Sequence, residues 1–293
     1  MPEVGANDLD TFNAHRALLF AIAYRMTGSV MDAEEIVQEA YLRWQRREEV
    51  EVQSAKAYLS TIVTRLSIDH LRAAHSQRET YTGSWLPEPL ITETGPDLAD
   101  VAALHESISM AFLVLLEDLT PLERAVFLLH DVFAYDFRAI AGIVGKGEAN
   151  CRQIARRARQ EIQARRPRFD SSPEHQEELT QQFITACTNG DLSGLLATLA
   201  HDATFWGDGG GKVRAPFRPI AGAERIAAFI LGIVRNVPGN TEIRRRSVNG
   251  QPGFLFLVEG AVYAALTLHI VEGHIQTIHV VANPDKLRAL ASQ

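Results

Sequence analysis

At the usual ~100–200 residues per domain, a chain of 293 residues is expected to form two or three folded units around separate cores. Its content of 46% apolar and 22% charged residues is that of an ordinary globular protein and excludes collagen, coiled coil and wholesale disorder. The net charge of −7 conceals an asymmetry: residues 138–168 carry nine Arg or Lys against only Glu148 and Glu161, a net of +7 that leaves −14 on the remainder. A compact basic block in an acidic chain reads as a nucleic-acid footprint.

Residues 1–16, MPEVGANDLDTFNAHR, open acidic and lack the basic and apolar blocks of an export signal, and no apolar run reaches the ~20 residues needed to span a bilayer. With only Cys151 and Cys187, too few for a disulfide framework, the cytoplasm is the expected compartment and no membrane partner is expected.

Residues 10–78 have almost no Gly or Pro and repeat apolar side chains at helical spacing. Ala33, Ile36, Val37, Ala40, Tyr41 and Trp44 form one stripe, with Asp32, Glu35, Gln38 and Glu39 on another face. A further helix over about Lys56–Ala74 packs through Leu59, Ile62, Val63 and Leu66, leaving Arg65, Asp69 and Arg72 on a different side. The pattern breaks at Tyr81–Pro96, where Gly83, Pro87, Pro89, Gly95 and Pro96 favour extended chain. Trp85, Leu86 and Leu90 are costly to leave in water, so this linker is expected to lie across a surface.

Helices resume near Val101 and again at Thr120, where Thr120, Pro121 and Glu123 spell a capping box with Pro at the first helical position. A short helix with Phe137, Ile140, Ala141 and Val144 on one face follows. Gly145–Lys146–Gly147 breaks it, and a second helix starts at Glu148 and runs to about Arg165. In that helix Cys151, Ile154, Ala155, Ala158 and Ile162 form the buried stripe, which makes Cys151 an inert thiol and not a redox switch. Asn150, Arg152, Gln153, Arg156 and Arg157 point away. These side chains can bond base edges in a major groove, and the arrangement is the helix-turn-helix plan.

Beyond Pro173, two helices (about Glu174–Thr188 and Asp191–Ala200), a glycine-rich loop, a helix over Gly222–Val234 and alternating segments from Glu242 to Val281 describe a separate α+β domain. If Glu272–Gly273 is a two-residue hairpin turn, Val271 opposes His274, so His269 and His274 share a face and His279 lies on the other. DGGGK (Asp208–Lys212) is not a phosphate-binding P-loop, because Val213 follows Lys212.

The stretches DAEEIVQEAYLRW (Asp32–Trp44), AYLSTIVTRLSIDHLR (Ala57–Arg72), LTPLERAVFLLHDVF (Leu119–Phe133) and FRAIAGIVGKGEANCRQIARRAR (Phe137–Arg159) together resemble, in order, regions 2 and 4 of extracytoplasmic-function sigma factors. SWLPEPL (Ser84–Leu90), DGGGK and NPDKL (Asn283–Leu287) resemble the subgroup with a SnoaL-like C-terminal extension.

The resemblance implies two all-α domains, region 2 over residues 1–78 and region 4 over 104–168, joined by a linker over 79–103 and followed by a regulatory α+β domain over 173–293. It implies binding to core RNA polymerase, through the clamp and flap, and to promoter DNA, with no cofactor, no metal and no catalysis. Asp32, Glu35, Gln38 and Glu39 would meet the polymerase clamp. Arg65, Asp69, His70 and Arg72 would engage the −10 strand, with Asp69 as either a contact or a structural partner. Lys146, Glu148, Asn150, Arg152, Gln153, Arg156 and Arg157 would meet the −35 duplex.

Trp85, Leu86, Pro87, Glu88 and Pro89, with Asp208, Gly209, Gly210, Gly211 and Lys212 and with Asn283, Pro284, Asp285, Lys286 and Leu287, would form a regulatory contact between linker and extension. NPDKL reads equally as a helix start capped by Asn283. The alternatives are a stand-alone helix-turn-helix regulator responding to a small-molecule ligand in the extension, and an enzyme there drawing on His201, Asp202, Trp206, Asp208, His269, His274 or His279.

Overall fold

The computed structural model describes residues 4–47, 52–79, 81–92, 108–165 and 173–290. The chain forms two compact units, one of residues 1–79 with 115–165 and one of residues 80–114 with 166–293. The described linker residues 81–92 and residues 108–114, expected in region 4, thus belong to the same unit as the C-terminal extension. The helix expected near Val101 lies outside the described residues.

In the first unit, α1 (Val4–Thr27), α2 (Val30–Gln45) and α3 (Ala55–Glu79) form one bundle. Ser29 caps α2, its hydroxyl accepting the Asp32 backbone N–H. The α2 stripe of Ala33, Ile36, Val37, Ala40 and Trp44 is buried as its spacing predicts, and in α3 Leu59 and Val63 are buried while Ile62 and Leu66 are half-buried. α4 (Met110–Leu116) has most of its residues in the second unit; in the first, α5 (Pro121–Phe127) begins at the expected capping box, where Thr120 accepts from the Glu123 N–H and Glu123 from the Thr120 N–H. It runs into a π-helical turn (Leu128–Val132). α6 (Phe137–Val144), capped by Asp136, ends at Gly145 in the left-handed conformation (φ 66°), and α7 (Glu148–Arg165) follows.

The two helical regions close on each other within this unit. Arg124, 3% exposed, donates from Nη1 to the Met26 carbonyl (2.6 Å) and to Glu117 (2.8 Å). Ser60 and Tyr135 share a hydrogen bond of 2.7 Å, and Arg65 donates to the Ile143 (2.9 Å) and Gly142 (3.1 Å) carbonyls.

In the second unit, α8 (Pro173–Asn189) and α9 (Leu192–Thr198) precede β1 (Leu199–Asp208), then come β2 (Ile220–Ala221), α10 (Ala223–Val234), β3 (Thr241–Val248), β4 (Gln251–Val258), β5 (Ala261–Val271), β6 (His274–Val281), α11 (Pro284–Leu287) and a 3-10 turn (Arg288–Leu290). The strands form one sheet in the order β2-β1-β6-β5-β4-β3, antiparallel except for the β1–β6 pair. Side chains of α8, α9 and α10 bury one sheet face around Phe183, Phe205, Ile226, Leu268 and Ile278. The other face holds Leu255, Leu257, Ala265 and Val281 against Leu86, Met110 and Leu287.

Two expectations need correction here. The helix expected to run to Ala200 ends at Thr198, and β1 begins at Leu199, because LAHDATFWGD alternates on a strand period from Ala203 onward, with Ala203, Phe205 and Gly207 buried. Val271 does oppose His274, but a register shift between His269 and Ile270 pairs His269 with Thr277 and Thr267 with His279. One extra residue in the β6 strand reverses every side chain beyond it, so His269 shares its face with His279.

Candidate nucleic-acid interface and the buried linker site

The recognition helix α7 presents what its periodicity predicts. Cys151, Ile154, Ala155, Ala158 and Ile162 are buried, while Lys146, Asn150, Arg152, Gln153, Arg156 and Arg157 are exposed and Glu148 is half-buried. Burial, followed by the charge of Glu148, pushes the Cys151 thiol pKa up, which keeps it protonated and unreactive. Arg152 pairs with Glu148 one turn back and lies 5.5 Å over the Phe137 ring. Arg157 reaches Glu123 at only 3.9 Å, and Arg159 is tied to Asp131 at 2.7 Å. Exposed pairs of this kind are worth about 0–1 kcal/mol, so a phosphate or a guanine can displace them at little cost.

The −10 candidates on α3 are more occupied. Arg72 and Asp69 are exposed and face each other at 3.5 Å, and His70 sits 3.2 Å from Asp32, linking the two proposed contact helices. Arg65 is exposed, yet its guanidinium is held by the last carbonyls of α6, a use that spacing along α3 could not reveal because its partners are 77 and 78 residues away. On α2, Glu35 and Gln38 are exposed and Glu39 bonds Arg43 at 2.8 Å. Asp32 is partly turned inward by His70.

In the second unit the three linker-associated motifs converge. Asp208, fully buried, accepts from the Tyr81 hydroxyl (2.5 Å), the Leu86 N–H (2.9 Å), the Gly210 N–H (3.0 Å) and the Lys286 ammonium (2.7 Å). Lys286 also donates to the Leu86 carbonyl and stands 4.2 Å from the Trp85 ring centre and 4.9 Å from that of Tyr81. A carboxylate and an ammonium can share this depth only because each is paired and further hydrogen-bonded. Burial, then the bond to Asp208, raises the Tyr81 pKa far above the usual phenol value, so Tyr81 remains a donor.

Asn283 donates to the Tyr81 hydroxyl (2.9 Å) and also caps α11 by accepting the Asp285 N–H, so the helix-start reading and the contact reading of NPDKL both hold. Gly210, at φ 59°, lies against this amide: a β-carbon there would come within 2.3 Å of Asn283 Nδ2. Lys212 pairs with Asp285 at the surface, and that contact holds the Asp285 carboxyl below its ordinary value. Leu86, Pro87, Glu88 and Pro89 are buried, and Gly211 is close to Thr82.

Sequence reasoning missed Tyr81 and Asn249. Asn249 (φ 53°) accepts the Leu90 N–H, donates to the Ile108 carbonyl and sends its own N–H to Leu90 O. Its signal in the sequence was the Asn249–Gly250 pair, a turn whose left-handed residues free the Asn side chain to bind backbone.

Of the proposed enzyme residues, Trp206, His269 and His279 lie on one sheet face, with Trp206 paired to His279, and the others lie apart from them or are committed elsewhere. His201 and Asp202 are exposed on β1, His274 is exposed at the hairpin and Asp208 is committed to Lys286. Among the described residues no group of three metal-ligating side chains is found, and no helix is long and apolar enough to cross a membrane. The interior where a ligand was expected is packed with Phe183, Phe205, Phe254 and Leu266.

His269 and His279 are buried, and burial lowers their pKa values to about 4 and about 3, with His269 adding to the shift of His279. The unfolded chain takes up these protons near pH 6.5, whereas the folded one does not, so stability is full above that pH and is lost as pH falls towards 4. At pH 5 each histidine is expected to cost about 2 kcal/mol relative to pH 7.5. Melting across this range checks it, and His279→Val should flatten the dependence.

Comparison with known proteins agrees with this geometry. Residues 11–77 match the family model for Sigma-70 region 2 and residues 109–162 that for Sigma-70, region 4. The chain is 39% identical to the ECF RNA polymerase sigma factor SigJ of Mycobacterium tuberculosis, over 95% of this chain and 93% of that one. It is 33% identical to the probable ECF RNA polymerase sigma factor SigI of the same species, over 96% and 95%. The crystal structure of M. tuberculosis SigJ superimposes with a TM-score of 0.75 at 36% identity, covering 95% of this chain and 97% of that one. With an exposed basic recognition helix in region 4, an acidic helix in region 2 and relatives matched along nearly the whole length, the chain belongs to the extracytoplasmic-function sigma factors, the RNA polymerase subunits that direct promoter-specific initiation.

Proposed function

We propose that the C-terminal unit sets the activity of this sigma factor by holding the chain segment that joins regions 2 and 4. The observation that carries the reading is Asp208, whose buried carboxylate accepts from Tyr81, from the Leu86 backbone and from Lys286. A linker tethered at buried charge-assisted bonds has lost the freedom that lets regions 2 and 4 be placed independently. The surface pair Lys212–Asp285 contributes less, because both partners are solvated.

Run-off transcription with core polymerase, comparing the full chain with residues 1–172, tests the reading. Trp85→Ala should change promoter output while leaving core-polymerase affinity intact, and Lys212→Ala should do so more weakly. Unchanged transcription in the truncation and in both variants would remove the idea. Core enzyme in the same assay also separates a sigma subunit from a stand-alone regulator.

Polymerase contact is assigned to the acidic face of α2, with Glu35, Gln38 and Glu39 towards the clamp, and to region 4 towards the flap, all in the cytoplasm. The −35 duplex is assigned to the exposed side of α7. Arg152→Ala is expected to cost about 1–3 kcal/mol in duplex affinity and to relax one −35 position. Equal loss on every promoter would make it a phosphate contact. If Lys146, Arg152, Arg156 and Arg157 each neutralise a phosphate, raising salt from ~50 to ~200 mM should weaken binding by roughly two orders of magnitude, and a flat response would contradict the assignment.

A further inference from the structure

The loop after the glycine motif has a rigid backbone and an unpacked set of side chains. Lys212 pairs with Asp285 at the surface, and the Val213 N–H closes a turn on the Gly209 carbonyl at 3.1 Å. Pro216 presses on Gly207, where a β-carbon would meet its ring at 2.9 Å. Ile220 pairs with Phe205 at the start of β2, and Pro216 and Pro219 restrict the backbone between these anchors. On this frame Phe217 is 74% exposed, Val213 is 42% exposed, and Arg214 and Arg218 are exposed. Among the described residues neither arginine forms an ion pair.

An aromatic ring held in water on a braced loop gains nothing for folding, since its apolar area would be worth about 25 cal/mol per Å² if buried. Its neighbours decide what could cover it. Arg214 and Arg218 flank it, Arg225 is exposed in the first turn of α10, and the acids of this stretch are Glu224 and the buried Asp208. An exposed ring with no hydrogen-bonding edge, with exposed arginines three residues before it and one after it in the chain, fits an unstacked base with phosphates nearby. A paired duplex hides its base faces, whereas promoter melting exposes them.

We infer that the Val213–Pro219 loop is a contact for single-stranded DNA in the melted promoter, with Phe217 stacking on a base and Arg214 and Arg218 holding the adjoining phosphates. This contact rests on promoter melting by the holoenzyme and not on the linker contact at Asp208.

The test uses holoenzyme reconstituted from core polymerase and the full chain carrying Phe217→p-benzoylphenylalanine. Photo-crosslinking to a pre-melted bubble promoter is expected, with little on the same sequence fully paired. Phe217→Ala should shorten the heparin-resistant lifetime of the open complex about tenfold, as loss of one base stacked on an aromatic does, and Phe217→Trp should retain it. Arg214→Ala with Arg218→Ala should reduce the salt slope of bubble binding by about 1.4, the share of two single-strand phosphates. Crosslinks confined to polymerase subunits, equal crosslinking to the paired promoter, or an unchanged lifetime in Phe217→Ala would overturn the inference. Failure of this loop with Trp85→Ala still altering output would leave the linker reading standing.

Discussion

Asp208→Ala is expected to destabilise the second unit by about 3–5 kcal/mol, the cost of removing one partner from a buried ion pair. The size follows from what is left behind. Lys286, at 7% exposure, would keep its charge at that depth without the Asp208 carboxylate, and the Tyr81 hydroxyl and Leu86 N–H would lose their acceptor. Urea unfolding followed by tryptophan fluorescence measures it, since Trp85 lies against Lys286 and Trp206 belongs to the same apolar cluster as Leu86. Asp208→Asn with Lys286→Met removes both charges and should recover most of the loss, because an apolar isostere avoids the desolvation of either ion. A loss below about 1 kcal/mol in Asp208→Ala would mean that the pair is solvated and that it cannot tether the linker.

That site was half legible in the sequence. Trp85, Leu86, Asp208 and Lys286 stand in motifs that resemblance singles out, and apolar residues among prolines say that the linker must lie on something. What periodicity cannot show is that Asp208 ends a strand, where its side chain turns inward to meet residues 122 and 127 positions earlier. The helical elements around the recognition helix were read well because each carries its own signal: the Thr120–Glu123 box, the Phe137–Val144 apolar spacing, the glycine break at Gly145 and the α7 stripe are all local. The histidine faces were misassigned for the opposite reason. A single bulge beyond a correctly placed hairpin reverses strand parity, and nothing within the β6 sequence HIQTIHVV marks where the extra residue is absorbed. Arg65 shows the same limit in a helix: its place on α3 is clear from spacing, but its hydrogen-bond partners come from the other end of the helical unit.

Opening of the helical unit on promoter DNA is the second large effect expected. The −10 and −35 elements lie about 25 base pairs apart, roughly 85 Å at ~3.4 Å per step. In the free chain, Arg65 of α3 is hydrogen-bonded at 2.9 Å to the end of α6, which leads directly into the recognition helix. Both elements cannot be read from that closed form, so region 2 and region 4 must separate by tens of ångströms. Fluorophores placed on exposed positions of α3 and α7, at Ala57 and Gln160, should lose energy transfer when core polymerase and promoter are added. Arg65→Ala removes two hydrogen bonds from a solvated guanidinium, worth about 1 kcal/mol together, and should shift the closed-to-open ratio of the free chain roughly fivefold towards open. If Arg65 served only as a −10 contact, the same variant would leave energy transfer in the free chain unchanged and would weaken promoter binding instead. Retention of high transfer in the assembled promoter complex would mean that the closed unit is itself the form that binds DNA, and one of the two DNA assignments would then have to be wrong.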